Sequence, residues 1–123
     1  MTSDIDIKKL TDVVIGALND LKAQEIQVLD VSKMTSITDM MVVASGTSNR
    51  HVKALSENII EEAKKFGVRP IGVEGEKEAD WVLVDLGDVV VHIMLPRVRE
   101  FYNLEKLWSV VEQGRKEGTG PAP

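Results

Sequence analysis

The chain has 123 residues and not one cysteine, which excludes disulfides, thiol chemistry and any Cys-ligated metal. Histidine is almost as scarce: His51 and His92 stand alone, too few for a zinc site without further ligands. No apolar run is long enough to span a bilayer. The start, Met1-Thr2-Ser3-Asp4-Ile5-Asp6, lacks the positive charge and apolar stretch of a signal peptide. Basic residues are outnumbered, 15 Lys and Arg against 20 Asp and Glu, for a net charge of -5. They form no cluster, which argues against a phosphate backbone as the main partner, and little direct nucleic-acid binding is expected. These absences point to a cytoplasmic protein with no membrane, metal or cofactor. Its acidity suits a basic protein partner.

What is present is ordinary for a globular domain, 43% hydrophobic and 28% charged residues. Residues 1–116 fit a single domain, and residues 117–123, rich in Gly and Pro, read as a flexible C-terminal tail. Ile7, Leu10, Val14, Ala17, Leu18 and Leu21 recur at helical spacing and predict an amphipathic helix from Asp4 to Leu21, with Ser3 or Asp4 as its cap. Ile26–Val31 predicts a strand. Met40–Ala44, nearly all apolar, predicts a second one buried on both faces. Ser45-Gly46-Thr47-Ser48 then turns the chain into a helix with Val52, Leu55, Ile59, Ala63 and Phe66 on its buried stripe. Glu61 and Lys65 pair on its wet side, and Gly67 ends it. Arg69–Val73, interrupted by Pro70 and Gly72, predicts a short or edge strand.

The strongest local signal is a hairpin. Trp81–Leu86 and Val89–Met94 are β-rich runs on either side of Gly87-Asp88, a two-residue turn pair. That turn sets Leu86 opposite Val89, Val84 opposite Val91 and Val82 opposite Ile93. All six are apolar and predict the core face. The other face carries Trp81 with Met94, Leu83 with His92 and Asp85 with Val90. Pro96 opens a helical turn through Tyr102, and Asn103 is placed to cap a last helix with Leu104, Leu107, Trp108 and Val111. The expected fold class is α/β (α+β): a mixed sheet of about five strands with flanking helices, the second helix crossing between the second and third strands.

Three groups invite chemistry. The Ser45–Ser48 turn precedes a helix, but it has neither a Walker lysine nor a Gly-x-Gly-x-x-Gly pattern, so a turn with an N-cap is the better reading. Asp80, Asp85 and Asp88 are close in sequence and raise the alternative of a metal-dependent nucleotidyltransferase-like enzyme. Asp88, however, sits where turns favour aspartate, and the three do not obviously converge. Glu74, Glu76, Glu78 and Asp80 form an acidic loop, either simply solvated or a docking surface for a basic protein. Beside it the non-core hairpin face offers Trp81, Leu83, His92 and Met94, bordered by Arg99 and Tyr102. Left uncovered, such a patch marks an interface.

Three segments in order resemble one family, the ribosomal silencing (Iojap-like) factors. They are Thr38-Asp39 followed, after two residues, by Val42-Val43-Ala44-Ser45-Gly46-Thr47-Ser48-Asn49-Arg50; Glu74-Gly75 with Trp81–His92; and Arg99-Glu100-Phe101-Tyr102-Asn103-Leu104-Glu105-Lys106-Leu107-Trp108. The likeness covers nearly all of the chain except the tail. Met40-Met41 stands where the family usually has Tyr-Phe, and Leu86 and Met94 where it usually has an aromatic. The resemblance implies a nucleotidyltransferase-like fold without catalysis and a possible homodimer. It also implies a translational repressor that binds the large ribosomal subunit through universal large-subunit ribosomal protein fourteen and so blocks joining of the small subunit. On that reading the partner-binding residues are Glu74, Asp80, Trp81, Leu83, His92, Met94, Arg99 and Tyr102. A dimeric adaptor with another protein partner is the remaining alternative.

Overall fold

The structure, a computed structural model, describes residues 4–36 and 38–103. The element order is α1 (Asp4–Asp20), β1 (Gln24–Asp30), β2 (Met40–Ser45), α2 (Asn49–Lys65), β3 (Gly72–Glu74), β4 (Trp81–Asp85), β5 (Val89–Met94) and α3 (Pro96–Tyr102). The strands form one mixed sheet in the order β1-β2-β5-β4-β3.

The hairpin is the expected one. Trp81 pairs with Met94, Val82 with Ile93, Leu83 with His92, Val84 with Val91 and Asp85 with Val90. Gly87 takes φ +91, a left-handed conformation open to glycine at little cost, and its N–H is received by Asp85 Oδ1 at 2.9 Å. β5 then lies parallel to β2, and β2 antiparallel to β1. α2 carries the chain from β2 over β5 and β4 to the far edge, where β3 joins antiparallel to β4. β3 is the short edge strand that Pro70 and Gly72 forecast, although it begins at Gly72.

Alternation along the strands then sorts side chains onto two faces. On one lie Val42, Ala44, Val82, Val84, Leu86, Val89, Val91 and Ile93, packed with Leu10, Val14 and Leu18 of α1 and Val52, Leu55 and Ile59 of α2. On the other lie Met41, Val43 and Met94, covered by Val31 and Met34 from the β1–β2 connection and by Val98 of α3. The two faces differ in their cover. Two long helices close the first. Among the described residues, short segments close one end of the second.

Several sequence expectations need correction. Leu21 and Phe66 are each 39% exposed. Both lie just past the last helical residue, so the periodicity that placed them on a stripe no longer applies. Lys65 pairs with Glu62, not Glu61, at 3.0 Å. The pair is exposed and contributes little. Asn103 is left-handed at φ 48 and closes α3, its N–H donated to Arg99 O at 2.7 Å, whereas an N-cap is extended. The expected helix at Leu104, Leu107, Trp108 and Val111, and the tail 117–123, lie outside the described residues.

Val84 is fully buried and Val28, on the β1 edge, is 39% exposed. Replacing Val84 with Ala removes buried methyls and leaves a cavity, and is expected to cost about 2 kcal/mol. The same change at Val28 is expected to cost less than about 0.5 kcal/mol. Urea unfolding midpoints of both variants check the assignment of the two environments.

Candidate functional site

Among the described residues, the second face of the sheet offers a site that chemistry and topology both mark. Register places Val43, His92, Leu83 and Glu74 in a row across β2, β5, β4 and β3. The next row is Ser45, Met94 and Trp81. Glu74, Gly75, Trp81, Leu83 and His92 line a shallow groove of about 220 Å³. Leu83 and His92 are half-buried at its floor, and Glu74 is exposed at its rim.

From Trp81 in the groove lining, a row of aromatic rings runs outward. Trp81 packs against Tyr102 with ring centroids 4.9 Å apart, and Tyr102 meets Phe101 edge to face at 5.0 Å. Phe101 is 81% exposed and Tyr102 is 54% exposed, so the row runs from solvent into the groove. Trp81 Nε1–H donates to His92 Nδ1 at 3.0 Å. Burial disfavours the imidazolium and lowers the His92 pKa from 6.5 to about 4, so the ring is neutral at pH 7.

Two of the expected residues are not surface groups. Met94 is fully buried among Val31, Met41 and Val43. Arg99 is 9% exposed, and its Nη1–H donates to Ser45 Oγ at 2.9 Å. They support the groove from beneath: Met94 backs Trp81, and Arg99 pins α3, which carries Tyr102, to the end of β2. Asp80 is half-buried and accepts from Asn49 Nδ2, which also donates to the Glu78 carbonyl at 2.9 Å. The acidic loop is thereby fastened to the first turn of α2. Glu76 and Glu78 remain exposed.

Two residues carry roles that sequence reasoning left unassigned. Gly75 has φ +88, and a Cβ there would run into the Trp81 carbonyl. Glycine lets the acidic loop fold tightly against the start of β4. Asn49 ties that loop down. Both stood inside the quoted motifs, but only the three-dimensional contacts give them a task. His51, expected to be solvated, is half-buried and bonded on both sides: Nδ1 accepts from Thr47 N–H at 2.8 Å, and Nε2 lies 2.7 Å from the Leu21 carbonyl. Ser48 is the N-cap of α2, its Oγ accepting from His51 N–H at 3.1 Å.

The three aspartates do separate work. Asp85 caps the hairpin turn, Asp80 holds Asn49, and the Asp88 carbonyl receives the N–H groups of Asp39 and Met40 at 3.1 and 3.0 Å. Among the described residues no group of three or more His, Asp or Glu is placed to hold a metal ion. No described helix is long and apolar enough to cross a membrane.

Residues 4–121 match the family described as Ribosomal silencing factor during starvation. The chain belongs to that family. Its relatives include the Ribosomal silencing factor RsfS of Chromobacterium violaceum, 48% identical over 104 residues, 85% of each chain. A crystal structure of a Chromobacterium violaceum protein superposes with a TM-score of 0.82 at 48% identity, covering 84% of this chain and 86% of that one. The mouse protein named Mitochondrial assembly of ribosomal large subunit protein 1 is 37% identical over 102 residues, 80% of this chain and 45% of its own length. Membership of a ribosomal silencing family supports a ribosome-associated silencing role.

In this family member the half-buried His92 has a consequence for stability. The folded chain resists protonating it, while the unfolded chain takes up the proton near pH 6.5. The stabilisation is complete above that value and is lost as pH falls toward about 4. Between these limits we expect wild type to lose about 1.4 kcal/mol per pH unit more than His92→Gln does. Unfolding free energies of the two proteins at pH 5, 6 and 7 check the slope.

Proposed function

We propose that the chain is a translational repressor in the cytoplasm that binds the large ribosomal subunit and blocks joining of the small one. Universal large-subunit ribosomal protein fourteen is the contact, and no catalysis is involved. The observation that carries the reading is an aromatic groove with an acidic rim on the sheet face opposite α1 and α2, in a chain of the ribosomal silencing family. A net charge of -5 suits a basic protein surface and opposes a phosphate backbone. The mouse relative's name refers to the large ribosomal subunit, which agrees with the choice of subunit.

The surface anchors on this reading are Trp81, Leu83, His92 and Tyr102, with Glu74 on the rim. Met94, Arg99 and Asp80 act from below or behind by holding those groups in place. Trp81 supplies a large, rigid ring, with its N–H already satisfied by His92. A nucleotidyltransferase reading has less support, because Asp85 is engaged by its own turn.

The test is to mix separated subunits with the protein and measure how many rejoin. Wild type is expected to reduce joining, with the protein recovered on the large subunit. Trp81→Ala is expected to weaken binding by roughly 2 kcal/mol. Its ring also packs on the buried second face, so affinity is to be compared at a temperature where the variant is shown to be folded. Undiminished binding by folded Trp81→Ala would remove the groove from the account. Retention on an unrelated basic protein, with no effect on joining, would favour the adaptor. Sedimentation equilibrium of the free chain checks the homodimer.

Charge on the rim is expected to act on the approach. Neutralising Glu76 and Glu78 with glutamine should slow association with large subunits at low salt and have little effect at high salt, where the field is screened. Stopped-flow association rates at two ionic strengths measure this. An unchanged rate at low salt would exclude the loop from steering.

A further inference from the structure

His92 is the polar group in the otherwise apolar middle of the groove floor. Its register neighbours are Val43 on β2 and Leu83 on β4. An indole nitrogen can only donate, so the 3.0 Å contact makes His92 Nδ1 the acceptor. A neutral imidazole that accepts at Nδ1 carries its hydrogen at Nε2. Trp81 therefore selects the tautomer, and the groove floor presents one N–H donor. No hydrogen bond to His92 Nε2 occurs among the described residues.

The surroundings narrow what that donor accepts. Glu74 lines the same groove, and Glu76 and Glu78 are exposed beside it. A carboxylate or phosphate would meet that negative field, while a neutral carbonyl oxygen would not. The aromatic row from Trp81 through Tyr102 to Phe101, beside the groove, offers apolar contact to the backbone and side chains of an inserted loop. Residues flanking the carbonyl would be basic, to face the rim.

We propose that His92 is a specificity-determining residue whose Nε2–H reads a backbone carbonyl on a loop of a basic protein laid across the Trp81–Leu83–His92 groove. This rests on the reading that the groove docks on the large ribosomal subunit. His92 is in this sense more than filler beneath Trp81. A lone donor on an apolar floor fixes the register of the incoming loop, because a shift of one residue leaves the N–H unpaired.

The experiment uses the full chain and isolated large ribosomal subunits. His92→Phe keeps a planar ring and removes both nitrogens. His92→Gln can accept from Trp81 with its carbonyl and donate with its amide. With folding confirmed by urea unfolding, His92→Phe is expected to bind about tenfold more weakly than wild type, and His92→Gln to recover most of the loss. Two-bond ¹H–¹⁵N correlation of the free protein at neutral pH is expected to show the Nε2–H tautomer, with that hydrogen exchanging freely. Wild-type affinity in folded His92→Phe, or an Nδ1–H tautomer, would overturn the proposal while leaving the docking reading in place. A protected Nε2–H in the free protein would also overturn it, since the groove would then already be filled by a second copy or by the chain's own C-terminal segment. If wild type itself fails to bind large subunits, the docking reading falls and takes this proposal with it.

Discussion

Everything in this structure depends on the register of the β4–β5 hairpin. Gly87 in its left-handed conformation and the Asp85 carboxylate on its N–H set one pairing. A slip of a single residue would move Val82, Val84, Val91 and Ile93 from the helix-covered face to the other, and Leu83 and His92 into the core. The cost of exposing four valines and isoleucines while burying an imidazole is large enough to exclude the alternative. Core and candidate interface are thus two outcomes of one turn. The β2–β5 parallel pairing then extends both faces, so that Met41 and Val43 join the groove side and Val42 and Ala44 the core.

The two faces also differ in how the described residues cover them. α1 and α2 seal the first face completely. The second is closed at one end by Val31, Met34 and Val98, and its remaining part carries His92, Leu83 and Glu74. The histidine keeps that part from being purely apolar; burial keeps it neutral, and Trp81 orients it. Gly75 and Asn49 hold the acidic loop against the rim. The result is a charged-rim surface held on regular elements, of the kind that limits the ordering binding demands.

Much of this was legible in the sequence because its causes are local. Period-two alternation on both sides of Gly87-Asp88 predicts the register and the two faces, and Ser48 reads as an N-cap from its place before the helix. The family resemblance likewise rests on contiguous motifs. What was not legible depends on contacts distant in sequence. Met94 belongs to the non-core face by alternation, yet it is buried because Val31 and Met34, some sixty residues earlier, lie over it. Arg99 reads as a surface cation until Ser45 is brought beneath it. Leu21 and Phe66 fit a helical stripe on paper but lie beyond the helix ends, where boundaries are set by capping and not by periodicity.

The central claim is that the open end of the second face is where the large ribosomal subunit sits. Hydrogen–deuterium exchange of the chain, free and bound to purified large subunits, tests it without any substitution. The account predicts added protection across residues 74–83, 90–94 and 99–102, and little change along the exposed edge at β1 or on the outer sides of α1 and α2. Protection confined to β1 or to the two long helices, with the groove unchanged, would contradict it.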